Sequence, residues 1–224
     1  MASSGTFAFS LDVDEIIQEA SETIGGEQTT GQEARSARRS INLILQDWQN
    51  RGIMLWKVDT TAVSVSTSVS SYTLTSSTLD VTEAVLRRDN TDIRLERISM
   101  EEHLKIPKKS QTGRPTQYAV RRERGAPVVH LWPIPDNTTD QVIFEQVKYF
   151  EDVNKSAVQT VDISRRFLPA LTQAVSYEMA VKRPGIEGGR IQFLKTRYED
   201  TLTRAMHEDR ERSSIRILPR LNLV

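Results

Sequence analysis

The sequence predicts an α+β protein: a discontinuous four-helix bundle with an inserted antiparallel β-sandwich or barrel and an extended C-terminal tail. Apolar residues recur at helical spacing near both ends of the chain, whereas the middle holds short alternating stretches rich in β-branched residues. The final stretch is apolar around a proline. The predicted domains are 1–56 (N-terminal helix pair), 57–160 (inserted β domain), 161–212 (C-terminal helix pair) and 213–224 (tail).

The N-terminal helix pair has clear start and stop signals. Asp12 and Glu15 have the spacing of a capping box, and apolar residues then recur every three or four positions. Thr30 and Glu33 repeat the capping pattern before a longer amphipathic stretch, which we expect to end at Gly52. Two such helices joined by a short loop predict an αα-hairpin, which needs a partner layer to bury its apolar stripes.

The region 57–160 has the period of β-strands, not of helices. The turn residues 89–92 separate predicted strands at 81–88 and 93–98. Ser99 and Glu102 have capping-box spacing and predict a short helix near 99–106. Further strands are predicted at 58–65, 72–74, 118–122, 128–132 and 142–150.

The helical period returns after Asp162. Apolar residues from Phe167 to Met179 predict a helix with one apolar face, and Pro169 suits its first turn. A second stripe runs from Ile191 to Met206. Neither helix pair encloses a core by itself, so we expect the two pairs to pack together as a four-helix bundle.

Composition narrows the class of protein. The chain has 224 residues, with 30 Lys plus Arg against 30 Asp plus Glu, so its formal net charge is zero. A free-standing nucleic-acid binder usually has a basic excess, whereas a neutral chain tolerates self-association. Cysteine is absent, which excludes disulfides and thiolate metal sites. No apolar run reaches membrane-spanning length, and the first residues lack a secretion-signal pattern, so we expect neither membrane insertion nor secretion.

Catalytic motifs are not evident. His103, His130 and His207 lie far apart in the sequence without metal-ligand spacing. The glycine-rich segment 182–190 lacks the ending of a phosphate loop, and the chain has no nucleophile-elbow motif. We therefore expect no enzymatic activity, no metal and no cofactor.

Two kinds of basic segment are candidates for contact with an anionic partner. The arginine-rich segments 35–39 and 204–212 either contact phosphate or form solvated helix faces with neighbouring acids, and the solvated interpretation is the simpler one. A locally basic loop without acids nearby is a candidate for facing DNA or an acidic partner surface. Its basic residues are Lys105, Lys108, Lys109 and Arg114.

The C-terminal tail is unusual because chain ends are normally polar. It either folds back on its own domain or docks as an extended segment on a partner. Its candidate docking residues are Ile215, Arg216, Ile217, Leu218, Pro219, Arg220 and Leu221.

The stretch 37–56, A-R-R-S-I-N-L-I-L-Q-D-W-Q-N-R-G-I-M-L-W, resembles the N-terminal helix of the head-to-tail adaptor, or tail tubular protein A-like, family of short-tailed phages. The likeness is strongest over residues 8–60 and continues at 167–182. It implies a structural virion protein, assembled in the host cytoplasm and placed at the head–tail junction. Twelve copies would dock beneath the dodecameric portal protein, continue the channel for packaged DNA and carry the tail nozzle protein.

In that family the C-terminal segment reaches into the portal, so the resemblance implies that the tail candidates named above form the portal-binding segment. The implied role is passive: to seal the portal after packaging, to hold the DNA and to transmit the signal for DNA ejection. A nucleic-acid-binding module built on the arginine-rich helices is the alternative, and the zero net charge argues against it. A cell-wall-degrading virion hydrolase would need a convergent acid pair or a metal cluster, and the sequence reveals neither.

Overall fold

The computed structural model describes residues 9–26, 31–53, 55–154 and 159–209, and its fold is mixed α+β. The chain forms two compact units. The first, here called the helical unit, lies within Met1–Ile44 and Val153–Val224, and the second, the β unit, lies within Leu45–Asp152. The helical unit is therefore assembled from both ends of the chain.

The described α-helices number five. Four of them begin in the helical unit, and the short α3 belongs to the β unit. Their bounds are α1 Val13–Thr23, α2 Gly31–Asn50, α3 Met100–Lys105, α4 Leu168–Lys182 and α5 Gly188–Glu208. Short 3-10 helices lie at Leu55–Lys57 and Arg165–Phe167.

Local capping signals predicted two helix starts correctly. The Asp12 carboxylate accepts a hydrogen bond from the Glu15 amide at 2.8 Å, and the Glu15 carboxylate accepts one from the Asp12 amide at 2.9 Å. Ser99 and Glu102 form the same reciprocal pair at the start of α3. Thr30, which was predicted to cap α2, lies outside the described residues.

Helix α4 differs from its prediction because residues 170–176 are buried on every side of the helix, whereas the sequence suggested a single apolar face. Its buried residues include Thr172 and Ser176 as well as the predicted apolar stripe. The reason is that α4 packs against both α1 and α5. Thr172 and Ser176 are tolerated because their hydroxyls donate to the carbonyls four residues earlier, at 3.0 and 2.8 Å.

The β unit contains two four-stranded sheets, with strand orders β1-β8-β3-β4 and β2-β7-β6-β5. Neither sheet closes into a barrel within the described part of the chain, so the barrel alternative is wrong there. The strands are β1 Val58–Ser64, β2 Ser71–Thr73, β3 Thr78–Arg88, β4 Thr91–Arg94, β5 Glu96–Ile98, β6 Gln117–Arg121, β7 Val128–Trp132 and β8 Gln141–Lys148.

The predicted strand 93–98 is divided between the two sheets. Asp89 and Asn90 both have positive φ, 50° and 59°, so a two-residue turn joins β3 to β4. The buried Leu95 follows β4, and β5 then pairs in parallel with β6 in the other sheet. The expectation of a purely antiparallel region was therefore wrong for this one pairing.

The two sheets share one hydrophobic core. Leu86 and Phe144 enter it from the first sheet, and Tyr118 and Leu131 enter it from the second. The buried Tyr118 hydroxyl donates to the Thr82 carbonyl at 3.2 Å, so its polar end is satisfied. Sheets that share inner faces in this way form a β-sandwich.

No helix in the described ranges is both long enough and apolar enough to cross a membrane.

Candidate functional site

The described part of the helical unit contains a groove with a strongly cationic lining. It has a volume of about 430 Å³ and is called the arginine groove below. Three arginines and three amide side chains are among its described lining residues. Its lining residues are Gln32, Arg35, Arg38, Arg39, Asn42, Val153 and Asn154.

One wall of the groove is the start of α2. Arg35, Arg38 and Arg39 are spaced by three and four residues, which places their side chains on adjacent parts of one helix surface. Ala37 precedes Arg38 and Ile41 follows Arg39 by two residues, and both are buried and hold the opposite side of the helix in the core. The amphipathic pattern of α2 therefore aims the arginines away from the core.

The other wall is the segment at Val153 and Asn154, and Asn42 joins it to α2. The Asn42 side-chain amide donates to the Val153 carbonyl at 3.1 Å, and the Val153 amide donates back to Asn42 Oδ1 at 2.8 Å. These two bonds connect residues that are 111 positions apart. We call this paired contact the Asn42 clamp, and it fixes the distance between the two walls.

The arginines are partly oriented by the surrounding protein. Arg38 forms an ion pair with Asp14 of α1 at 2.6 Å, and its side chain is 18% exposed. The Arg38 Nε atom is buried and has no hydrogen-bond partner within the described ranges. Arg35 Nε donates to the Gly31 carbonyl at 3.1 Å, while Arg39 is exposed. Because guanidinium groups only donate hydrogen bonds, the groove suits an anion.

The predicted basic loop lies in the β unit, and two of its cations have partners there. Lys105 forms an ion pair with Glu101 at 2.7 Å, so the loop is not free of nearby acids as the sequence suggested. Lys109 Nζ donates to the carbonyls of Leu104 and Ile106, at 2.8 and 3.2 Å, and so satisfies the end of α3.

The other two cations of the loop have different surroundings. The Lys108 carbonyl accepts the Trp132 indole N–H at 3.2 Å. The Arg114 Nε atom is buried without a hydrogen-bond partner in the described chain. Contact of this loop with DNA or an acidic partner stays a prediction.

Two histidines that are distant in the sequence come together in the β unit. The rings of His103, on α3, and His130, on β7, have centroids 5.4 Å apart, and this contact is called the histidine pair below. Burial lowers the pKa of both imidazoles. Lys109 lowers the pKa of His103 further, and His103 and Arg121 lower that of His130.

Sequence spacing gave no signal for the histidine pair, because its members belong to a helix and a strand far apart in the chain. His130 lies between the buried Val129 and Leu131, so strand alternation places it on the outer face of its sheet. Within the described segments, no group of three or more His, Cys, Asp or Glu side chains is arranged to hold a metal ion.

The predicted portal-binding residues 215–221 lie outside the described residues. Of the arginine-rich segment 204–212, the structure describes residues 204–209. Arg204 Nε donates to the Asp200 carbonyl at 3.3 Å, within α5. Burial raises the pKa of Asp209, and Arg166, 3.3 Å from it, opposes that rise.

An α+β fold with a groove lined by hydrogen-bond donors is consistent with a binding or structural protein. A family model described as SU10 adaptor protein matches residues 11–218. The chain therefore belongs to the SU10 adaptor protein family. Membership implies a phage structural adaptor protein, a virion component at the head–tail junction that assembles as an oligomer with portal and tail components. A structural family of this kind suggests a protein that is not an enzyme. No curated protein matches the chain.

Proposed function

We propose that the protein is one subunit of a head-to-tail adaptor ring that docks on the portal, continues the DNA channel and carries the tail nozzle. The observation that supports this most strongly is the family match, which extends over residues 11–218 and so includes both units. The resemblance of residues 37–56 to the tail tubular protein A-like adaptors supports the same role. That resemblance is also the basis for proposing twelve copies in the ring.

The proposed architecture assigns the two units different tasks. In the proposed division of the chain, the helix pairs of 1–56 and 161–212 form a four-helix bundle, and 57–160 is an inserted β domain. The packing of α4 against α1 and α5 supports the bundle, and so does the ion pair between Arg38 of α2 and Asp14 of α1. The bundle would contact the portal and neighbouring subunits, and the β domain would face the nozzle.

The self-association of identical subunits is consistent with the charge of the chain. With 30 basic and 30 acidic residues, little net repulsion opposes the packing of copies side by side. Closed rings need two different complementary faces on each subunit, because each copy contacts its neighbours head to tail. We propose that locally charged surfaces of opposite sign supply part of this complementarity.

We further propose that the C-terminal tail is the portal-binding segment. Its apolar residues alternate loosely with two arginines around Pro219. An extended apolar segment gains most by docking in a groove or along a strand edge of a partner. Within this proposal, Ile217 and Leu218 are central anchors.

The proposal is tested by mixing the purified protein with the cognate portal ring. Full-length protein should add to the portal as a closed ring, read as a fixed increase in mass and as an extra layer in electron micrographs. A chain ending at Arg212, and the variant Ile217→Asp/Leu218→Asp, should not add. The control Leu104→Asp, which removes an apolar side chain that is 67% exposed on α3, should still form the ring.

Two results would contradict these assignments. If the chain ending at Arg212 binds as well as the full-length protein, the tail is not the portal-binding segment. If neither form binds, docking on the portal is wrong.

A further inference from the structure

We propose that the arginine groove is a phosphate-binding site that holds the sugar–phosphate backbone of DNA. The inference concerns the side chains of the helical unit and does not depend on docking on the portal. It assigns a ligand class to three arginines that the sequence alone explained more simply as a solvated helix face.

The positive charge of the groove favours an anionic ligand. Among the described residues, its lining contains three guanidinium groups and no carboxylate. Asp14 contacts Arg38 from α1 and offsets one of the three positive charges. In a typical solvated face, arginines alternate with acids at spacings of three and four residues, but here Arg35 and Arg39 follow each other at that spacing. Like charges so placed repel each other, and a bound anion would relieve this repulsion.

The amide side chains of the groove also suit a phosphate ligand. Gln32, Asn42 and Asn154 add amide groups to the arginines of the lining. Arginine, asparagine and glutamine are among the side chains that supply most protein contacts to DNA phosphates.

The spacing of the arginines along α2 also suits a phosphate backbone. Arg35 and Arg39 are four residues apart on α2, which corresponds to a rise of about 6 Å along the helix axis. A strand of B-DNA carries one phosphate per about 3.4 Å of duplex axis, so the separation of the two arginines is enough for them to contact two different phosphates of one strand. A lone carboxylate from a neighbouring subunit would engage one guanidinium in a paired contact and leave the others unmatched.

The shape of the groove is fixed by contacts within the helical unit. The Asn42 clamp fixes the Val153 segment against α2, and the Asp14 ion pair orients Arg38. Preformed donors bind an anion with less loss of conformational entropy than free surface arginines do. The groove also begins in the first turn of α2, where the positive end of the helix dipole favours negative charge.

A site of this kind reads no base sequence, because it contacts only the backbone. One copy would bind DNA weakly, in keeping with the zero net charge of the chain. In a ring such as the one proposed above, repeated copies would act on the same duplex, and their weak contacts would add through high effective concentration.

The test uses full-length protein and a fluorescent DNA duplex of about 30 base pairs, with binding followed by anisotropy between about 50 and 200 mM salt. The groove variant is Arg35→Gln/Arg39→Gln, and the matched control is Lys195→Gln/Arg197→Gln, which makes the same charge change at exposed positions of α5 outside both arginine-rich segments. Wild type and control should bind alike. The groove variant should bind about tenfold to a hundredfold more weakly, and its slope of log affinity against log salt should be shallower by about 1.8.

A second variant distinguishes a loss of DNA binding from a folding defect. Gln32→Glu places an acid in the groove at an exposed position in the first turn of α2, where a negative charge stabilises the helix. It should fold at least as well as wild type and still weaken DNA binding. Inorganic phosphate at matched ionic strength is the second probe. Displacement of DNA only at high phosphate concentration supports a phosphodiester site.

Several outcomes would overturn the proposal. Equal binding by the groove variant and wild type, or equal losses in groove variant and control, would show that the arginine groove is not the DNA site. Tight binding of inorganic phosphate without binding of DNA would assign the groove to a small anion. A groove variant that changes only self-association would assign it to an acidic surface of another copy. Portal docking by the groove variant should be unchanged, so failure here is distinct from failure of the adaptor proposal.

Discussion

The substitution Asn42→Ala tests the Asn42 clamp, which connects α2 to the segment at Val153. It removes two neutral hydrogen bonds of 3.1 and 2.8 Å. Each contributes a net 0.5 to 1.5 kcal/mol or so, which predicts a loss of about 1 to 3 kcal/mol. The upper half of that range is expected, because Val153 is only 6% exposed and its amide would lose its partner in a buried place.

The measurement is amide hydrogen exchange of Val153, which reports the clamp locally. A loss of about 2 kcal/mol in the opening free energy corresponds to exchange that is faster by about 30-fold. The control is Gln46→Ala, an exposed position one turn further along α2. It should leave the exchange of Val153 within about twofold of wild type. Unchanged protection in Asn42→Ala would refute the view that these two bonds hold the groove walls together.

Three further predictions concern the β unit and the end of α2. Phe144→Ala opens a cavity in the sandwich core and should lower the free energy of unfolding of the β unit by about 3 to 5 kcal/mol in urea titrations. Phe193→Ala, at a position 62% exposed, should cost less than about 0.5 kcal/mol, and similar losses would contradict the core assignment. Burial lowers the pKa of both histidines of the histidine pair in the folded protein. The free energy of unfolding should therefore be highest above the pKa of histidine in the unfolded chain, about 6.5, and should decline as the pH falls below that value. In His103→Gln the melting temperature should fall less steeply as the pH is lowered. A pH profile identical to that of the wild type would contradict this prediction. Gly52→Ala should cost about 1 kcal/mol because Gly52 has a φ of 80°, whereas Gly125→Ala, in open space without positive φ, should be nearly neutral by thermal melting.

Features encoded by neighbouring residues were predictable. The reciprocal cap of Asp12 and Glu15 depends on three residues of spacing, so the start of α1 could be read directly from the sequence. The hairpin of β6 and β7 depends on two alternating stretches and a short turn, and it also forms as expected. In each case the chain segment carries its own signal.

Features that depend on distant packing were not predictable. The burial of residues 170–176 on every side of α4 comes from two neighbouring helices. The passage of the chain from the first sheet at β4 to the second sheet at β5 comes from the pairing of β5 with β6. The cluster of arginines in α2 was visible in the sequence, but its opposing wall was not. Asn42 and Val153 are 111 residues apart, and no sequence pattern identifies the hydrogen-bond partner of an asparagine on a helix surface.

The central claim, that this chain joins the phage head to its tail, is tested most directly by electron microscopy of particles assembled without it. The account predicts heads with portals that lack the adaptor layer and the tail nozzle, and a supply of the purified protein should restore both. Complete tails on particles that lack the protein would contradict the adaptor role.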